Sequence, residues 1–377
     1  MKTATRTILT GSQAVAEAIR QSAVDVVPVY PITPQTQMIE AVSALAARGR
    51  FSGEIVRAET EHAVMSIAVG ASIAGARVIT ASASQGIALM WEVLGVAAGL
   101  RLPIIMAVGN RAISSPLNIH CDHSDSMGTR DLGWIQVGCE NVQEVYDHML
   151  LATKVAEDRD IQLPAMVLLD GFVTTHSLEN LVTLADDIVK GFIGERFVEK
   201  SALDVDHPST WGPLVLPEHY MDFRIDQHET LEKVKAKFLE AGEQLAALTG
   251  REYPLFELYE GKKVDRLKET DTVLVFLNST AGTAKEAVDV LRRSGQRVAL
   301  LKPILFRPFP YNEIREALAG VRRVIVYDRS MAYGAQAPLV SEIRNALYGL
   351  NPAPEVISRI YGLGGKDVTV EEIVRSV

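Results

Sequence analysis

The chain has 377 residues, enough for about two or three domains with cores of their own, and its 47% hydrophobic and 23% charged residues are ordinary for a globular protein. A formal net charge of -9 with no run of lysines or arginines excludes a surface built to neutralise phosphates, so nucleic acid is not an expected partner. Cys121 and Cys139, the two cysteines, are too few to ligate an iron–sulfur cluster and lack zinc-site spacing, which fits a reducing cytoplasm.

The N-terminus runs into an amphipathic segment carrying Glu17 and Arg20. The longest apolar stretch, Ile87 to Val108, is broken by Glu92, Arg101 and Pro103, so it reads as a buried helix followed by a strand. Neither a signal peptide nor a membrane span is expected. An apolar run, Val24 to Tyr30, then leads through Pro31-Ile32-Thr33-Pro34 into a helical pattern marked by Met38, Ile39 and Val42. Thr33 is placed to cap that helix through its hydroxyl, with Pro34 starting it, or to face a ligand at the carboxyl end of the strand.

Further strands are expected at Glu54 to Arg57, Val78 to Ala81, Ile104 to Val108 and Ala165 to Leu169, in an order that implies βαβ units and a parallel sheet. Between them, the small-residue helix Ala63 to Ala74 predicts a central, buried position. From His176 to about Pro213 the pattern is less regular, as expected of an arm wrapping a neighbouring surface, and a long helix from about Ile225 to Leu248 follows. A second α/β unit opens with the all-apolar strand Thr272 to Leu277, then a helix from Thr283 to Ser294 and strands at Arg297 to Leu301 and Val324 to Tyr327. Its strands end on polar groups, Asn278-Ser279 and Asp328-Arg329-Ser330. The domains are therefore placed at 1–250, with the arm and linker helix from about 177, and at 251–377.

Neither G-x-G-x-x-G after the first strand nor G-x-x-x-x-G-K-[ST] occurs, which disfavours a simple dehydrogenase or P-loop enzyme. What the pattern supplies is a polar group after each strand of the first unit: Thr33, then Glu59 and Glu61, then Ser82-Ala83-Ser84-Gln85-Gly86, then Asn110-Arg111. Parallel strands present their carboxyl ends on one edge, so these groups should converge.

Six segments in order carry a family resemblance: Tyr30 to Pro34, Ser82 to Gly86, Asn110 to His120, Asp122 to Asp125, Arg130 to Gln136 and Leu169 to Phe172. Together they resemble the α subunit of 2-oxoacid:ferredoxin oxidoreductases, most of all the pyruvate:ferredoxin type, and the likeness extends over essentially the whole chain. It implies an α/β fold with a pyrimidine-binding domain for thiamine diphosphate, followed by a smaller domain of the transketolase C-terminal type. It further implies that Glu61, in Thr60-Glu61-His62-Ala63, faces the aminopyrimidine ring nitrogen, with Glu59 as the register alternative. Thr33 and Arg111 match the residues that hold the 2-oxoacid, and Pro31, Ser84 and Gln85 fall where cofactor contacts are expected, although Ser84 and Gln85 also suit a helix cap.

His120, Asp122, His123 and Asp125 crowd ligand-type side chains, yet neighbouring residues on a loop cannot all face one ion, so no metal site is expected. They fix the Arg111 loop by turn hydrogen bonds, or touch the cofactor or a partner. No diphosphate-binding G-D-G element with its later Asn pair is present; Asp170-Gly171 is the nearest fragment. The resemblance thus implies a β subunit holding the diphosphate and Mg²⁺, with γ and ferredoxin-like subunits carrying iron–sulfur clusters, and ferredoxin or a NAD-linked subunit as acceptor. Loop 110–120 resembles pyruvate enzymes more than 2-oxoglutarate ones, and Thr33 departs from the arginine of oxalate enzymes. Branched-chain and aromatic, phenylglyoxylate-like substrates stay open. Outside this class, a self-contained transketolase-like transferase or a non-catalytic assembly subunit would also use the fold.

Overall fold

The structure is a computed structural model and describes residues 4–260 and 270–377. The first unit contributes strands β1 (Ala4–Leu9), β2 (Val26–Val29), β3 (Glu54–Arg57), β4 (Ile79–Ser82), β5 (Ile105–Asn110), β6 (Ile135–Gly138), β7 (Ala165–Asp170) and β8 (Glu179–Leu184). The second contributes β9 (Phe256–Tyr259), β10 (Thr272–Val275), β11 (Val298–Pro303), β12 (Leu305–Arg307), β13 (Arg323–Asp328) and β14 (Glu355–Ile360). As the alternation of strand and helix predicts, each unit is α/β with a largely parallel sheet.

In the first sheet the order is β12-β6-β7-β5-β4, with β6, β7, β5 and β4 parallel. One parallel bridge, Val26 to Val78, continues that order to β2 and its parallel neighbour β3. Successive side chains of a strand point to opposite faces. Ile105 and Ala107 accordingly join one core, with the helix Val142–Ala156, while Met106 and Val108 join another, with the helices Glu61–Ile73 and Trp91–Gly99. Burial on both faces explains why these strands are unbroken apolar runs. The second sheet, β14-β13-β10-β11-β9, repeats the arrangement: Val273 and Val275 pack on one side, Leu274 and Phe276 on the other.

Several local expectations are corrected. The helix after β2 spans Thr36–Ala47 and its N-cap is Gln35, so Thr33 does not cap it; a turn closed by Gln35 N–H to Ile32 C=O (2.8 Å) intervenes. The helix Glu61–Ile73 is not central: Val64, Met65 and Ala68 are buried, whereas His62, Ser66 and Gly70 lie on an open face. Nor is the apolar stretch after Ile87 wholly buried, since Trp91 is 52% exposed. The stretch expected to be irregular holds β8, paired antiparallel with β1, and a helix Asp186–Ile193. Its two core leucines, Leu181 and Leu184, are three residues apart and show no period-2 alternation, which hid the strand among polar neighbours. The long helix begins earlier than periodicity indicates, at Pro217, and runs to Thr249 because Leu216-Pro217 supplies a helix start that exposed apolar residues disguise.

Contacts between the units run through their strand ends and one shared edge. β12, from the second unit, pairs antiparallel with β6 of the first, matching Leu305 with Val137. Buried Lys302 donates to Glu140 (2.6 Å) and Glu144 (2.6 Å) of the first unit and pairs with Glu257 (2.8 Å). Among the described residues, no helix is long and apolar enough to cross a membrane.

Candidate active site

The carboxyl edge of the first sheet is built around close approaches that only glycine permits. Pro34 packs over the ends of β5 and β7: a Cβ at Gly171 would stand 2.4 Å from the Asn110 carbonyl oxygen and 2.9 Å from Pro34 Cγ. This seating carries Thr33 to the mouth of β5, where its main-chain carbonyl accepts a hydrogen bond from Arg111 (3.0 Å). Thr33 itself is exposed and its hydroxyl points to no protein partner among the described residues.

Arg111 is 7% exposed. Its guanidinium donates to the carbonyls of Thr33 and Asn118 (3.1 Å), and among the described residues no carboxylate pairs with it. Burial pushes this guanidinium down from its ordinary value, opposed by the nearby charge of Asp125. A buried cation bonded only to neutral carbonyls is an incomplete arrangement, which an anion would complete.

Glu61 opens its helix behind Thr60, whose hydroxyl accepts from Ala63 N–H at 3.1 Å. Glu61 is 8% exposed and its carboxylate meets no donor among the described residues, while Glu59 is exposed. Across from it lies Gly86: a Cβ there would sit 2.8 Å from Glu61 Oε1 and 2.6 Å from Ser82 Oγ. Ser82 Oγ is buried without a partner. An unpartnered carboxylate and an unpartnered hydroxyl therefore close in on Gly86, so tightly that a side chain at 86 would collide with both.

Ser84 and Gln85 tie this region to the Arg111 loop. Ser84 Oγ donates to the Ala112 carbonyl (2.5 Å), and Gln85 Nε2 donates to Ser114 Oγ (2.7 Å), so neither side chain serves as a helix cap. The organiser is Asp125, buried to 1% exposure, whose Oδ2 accepts from the main-chain N–H of both Ser84 and Arg111, each at 3.0 Å. Its Oδ1 accepts from Asn110 Nδ2 (2.8 Å) and Ser126 N–H (2.8 Å). Burial pushes its carboxyl up to about 6 against those four donors. Asp122 fixes the next turn by accepting from Ser124 N–H (3.0 Å) and Oγ (2.6 Å). Pro31 stands apart from this network, lining a cleft of about 450 Å³ with Tyr30, Ile39 and Arg57.

A second hub lies at the end of β7. Asp170, fully buried, accepts from Ser279 Oγ (2.5 Å), Asn278 Nδ2 (3.1 Å) and Arg329 (3.0 Å), and sits 2.8 Å from His123 Nε2. His123 and Arg329 hold its carboxyl well below the usual carboxylate range despite burial. Cys121, His123 and Asp170 approach closely enough to suggest a metal centre, but the Arg329 guanidinium already occupies the charge position a cation would take. Sequence reasoning missed this hub; its signal was the polar residues ending β10 and β13, whose edge turns out to face that of the first sheet.

Comparison with known proteins is consistent with this geometry. The family described as pyruvate flavodoxin/ferredoxin oxidoreductase, thiamine diphosphate-binding, matches residues 17–242. The chain belongs to this family. Residues 270–373 match pyruvate:ferredoxin oxidoreductase core domain II. Among curated relatives, pyruvate synthase subunit PorA of Thermotoga maritima is 44% identical over 98% of this chain and 92% of its own length. Ketoisovalerate oxidoreductase subunit VorA of Pyrococcus abyssi is 38% identical over 97% of this chain and 91% of its own length. A solved 2-oxoglutarate:ferredoxin oxidoreductase from Magnetococcus marinus shares the fold, with a TM-score of 0.71 at 22% identity, across 98% of this chain and 64% of that one.

Proposed function

We propose that this chain is the α subunit of a thiamine diphosphate-dependent 2-oxoacid oxidoreductase. The reaction is the oxidative decarboxylation of a 2-oxoacid, with pyruvate favoured, to an acyl-CoA and CO₂, and the electrons leave through iron–sulfur subunits to ferredoxin or another acceptor. The observation that carries the reading is the buried Arg111 guanidinium, bonded to two neutral carbonyls and to no carboxylate among the described residues. A 2-oxoacid brings the missing carboxylate, and a planar guanidinium receives it through two parallel hydrogen bonds.

Thiamine diphosphate, when bound, supplies the carbanion that adds to the oxo group and the electron sink that permits loss of CO₂. Glu61 would hold a proton against the aminopyrimidine ring, its carboxylate packed beside Gly86 and without a protein donor among the described residues. Thr33 would donate its exposed hydroxyl to the substrate while Arg111 orients the carboxylate. Ser84 and Gln85 shape the wall between these groups.

The diphosphate and Mg²⁺ fall to a β subunit, since this chain carries no matching motif. Supporting that partnership, the helices Glu61–Ile73, Ser84–Leu89 and Trp91–Gly99 leave Leu89, Trp91 and Val96 exposed, with open space over Gly70, Gly95 and Gly99. Such a patch next to an incomplete site suits a cytoplasmic complex with γ and iron–sulfur subunits. Branched-chain 2-oxoacids are the second reading, favoured by the similarity to the ketoisovalerate subunit.

The test is Glu61→Gln in the purified complex. Turnover of pyruvate is expected to fall at least about a hundredfold with assembly intact, in the range usual for removing an acid–base group. Unchanged turnover would reject the catalytic reading, and a panel of methyl, branched and aryl 2-oxoacids on the unaltered complex ranks the substrates.

A further inference from the structure

One turn of the second unit, at Gly364 and Gly365, touches the Arg111 loop at Asn118 and Cys121. Gly364 and Gly365 both have positive φ, 57° and 79°. Gly364 C=O accepts from Asn118 Nδ2 (2.9 Å), and Gly365 N–H donates to Cys121 C=O (2.7 Å). The approach is as close as it can be: a Cβ on Gly364 would stand 2.4 Å from Asn118 Nδ2, and one on Gly365 2.3 Å from His120 Cβ.

Asn118 is the far end of that grip and the near end of another. Its main-chain carbonyl accepts from Arg111 Nε at 3.1 Å, and its Oδ1 accepts from His120 N–H at 2.7 Å. An amide side chain can donate on one side and accept on the other, a combination that neither a carboxylate nor an apolar residue offers. Of the two carbonyls that aim the Arg111 guanidinium, one belongs to Thr33 in the first unit's own rim, and the other is on the residue that the second unit holds.

We propose that Asn118 is a positioning residue: gripped by the Gly364–Gly365 turn of the second unit, it sets where Arg111 presents its guanidinium to the carboxylate of the 2-oxoacid. This rests on the reading of Arg111 as the carboxylate site. The second unit thereby acts on substrate recognition without touching substrate.

The test uses the purified complex with pyruvate as substrate, and measures KM, kcat, thiamine diphosphate affinity and melting temperature. Asn118→Ala is expected to raise the KM for pyruvate about tenfold, the scale of one hydrogen bond to a charged group, with kcat and cofactor affinity nearly unchanged. Gly364→Ala should do the same, and the double variant should be no worse than Gly364→Ala alone, because the amide that clashes is gone. Multiplicative effects in the double variant would overturn the coupling. If Gly364→Ala does not fold, Asn118→Ala decides. An unchanged KM in Asn118→Ala beside a raised KM in Arg111→Lys overturns the role of Asn118 and leaves the Arg111 reading intact. An unchanged KM in Arg111→Lys removes the reading beneath it.

Discussion

Asp125 holds Arg111 by the main chain, not the side chain: its Oδ2 takes the Arg111 N–H at 3.0 Å, and the guanidinium is left to other partners. A carboxylate that paired with the guanidinium itself would neutralise the group proposed above to receive the substrate. Placing the acid on the backbone fixes the loop and leaves the positive charge available.

Asp125→Asn is expected to destabilise the chain by about 2–3 kcal/mol, because both carboxylate oxygens face donors and an amide turns N–H toward one pair of them. The pH dependence has a definite sign. The carboxyl is pushed up to about 6 in the folded chain, so between about pH 4 and 6 the folded state binds more protons than the unfolded one. Its contribution to stability therefore falls as pH rises through that window. Asp328, also pushed up to about 6 by burial, adds a slope of the same sign. Urea unfolding between pH 4 and 7 should show a shallower slope in Asp125→Asn than in the unaltered chain; an identical slope would contradict the assignment.

Gly86→Ala should separate folding from cofactor binding. The added methyl would collide with Glu61 Oε1 and Ser82 Oγ, at 2.8 and 2.6 Å, and push the Glu61 carboxylate from its place. Thiamine diphosphate affinity of the complex is expected to drop by about tenfold or more, the scale of roughly 1.4 kcal/mol, while the melting temperature changes little. Calorimetric titration of the cofactor checks this, and undiminished affinity would mean that the position of Glu61 beside Gly86 does not matter for seating the pyrimidine.

Lys302→Met probes the ionic junction between the units. Removing the ammonium leaves Glu140, Glu144 and Glu257 converging, with Lys285 as the remaining cation near Glu140 and Glu257. Breaking a buried pair from one side costs about 3–5 kcal/mol. Thermal unfolding is the measurement, and a loss under about 1 kcal/mol would show that solvent reaches the cluster.

What the sequence disclosed follows the physics of each signal. Strands buried on both faces, such as Ala165–Asp170 and Thr272–Val275, announce themselves as apolar runs, and the position of a polar residue after a parallel strand gives its edge in the fold. The placement of Glu61, Arg111 and Thr33 at that edge was legible for that reason. β12 and β8 were not legible: β12 is three residues long and only half of the six residues of β8 are buried, so neither builds an apolar run. Asp125 was legible only as one member of a crowded loop, because its partners Ser84 and Asn110 come from other strand ends. Asp170 and Arg329 are 159 residues apart, and no local pattern records that their carboxyl edges face each other.

The pairing of β12 with β6 separates the order of synthesis from the order of assembly. A chain emerging from the ribosome presents β6 early, yet the strand that covers that edge lies at Leu305–Arg307, far beyond the long helix Pro217–Thr249. Until then the nascent first sheet carries unpaired backbone donors and acceptors along β6, a surface on which two growing chains could join. Completion of the first half thus waits on translation of the second.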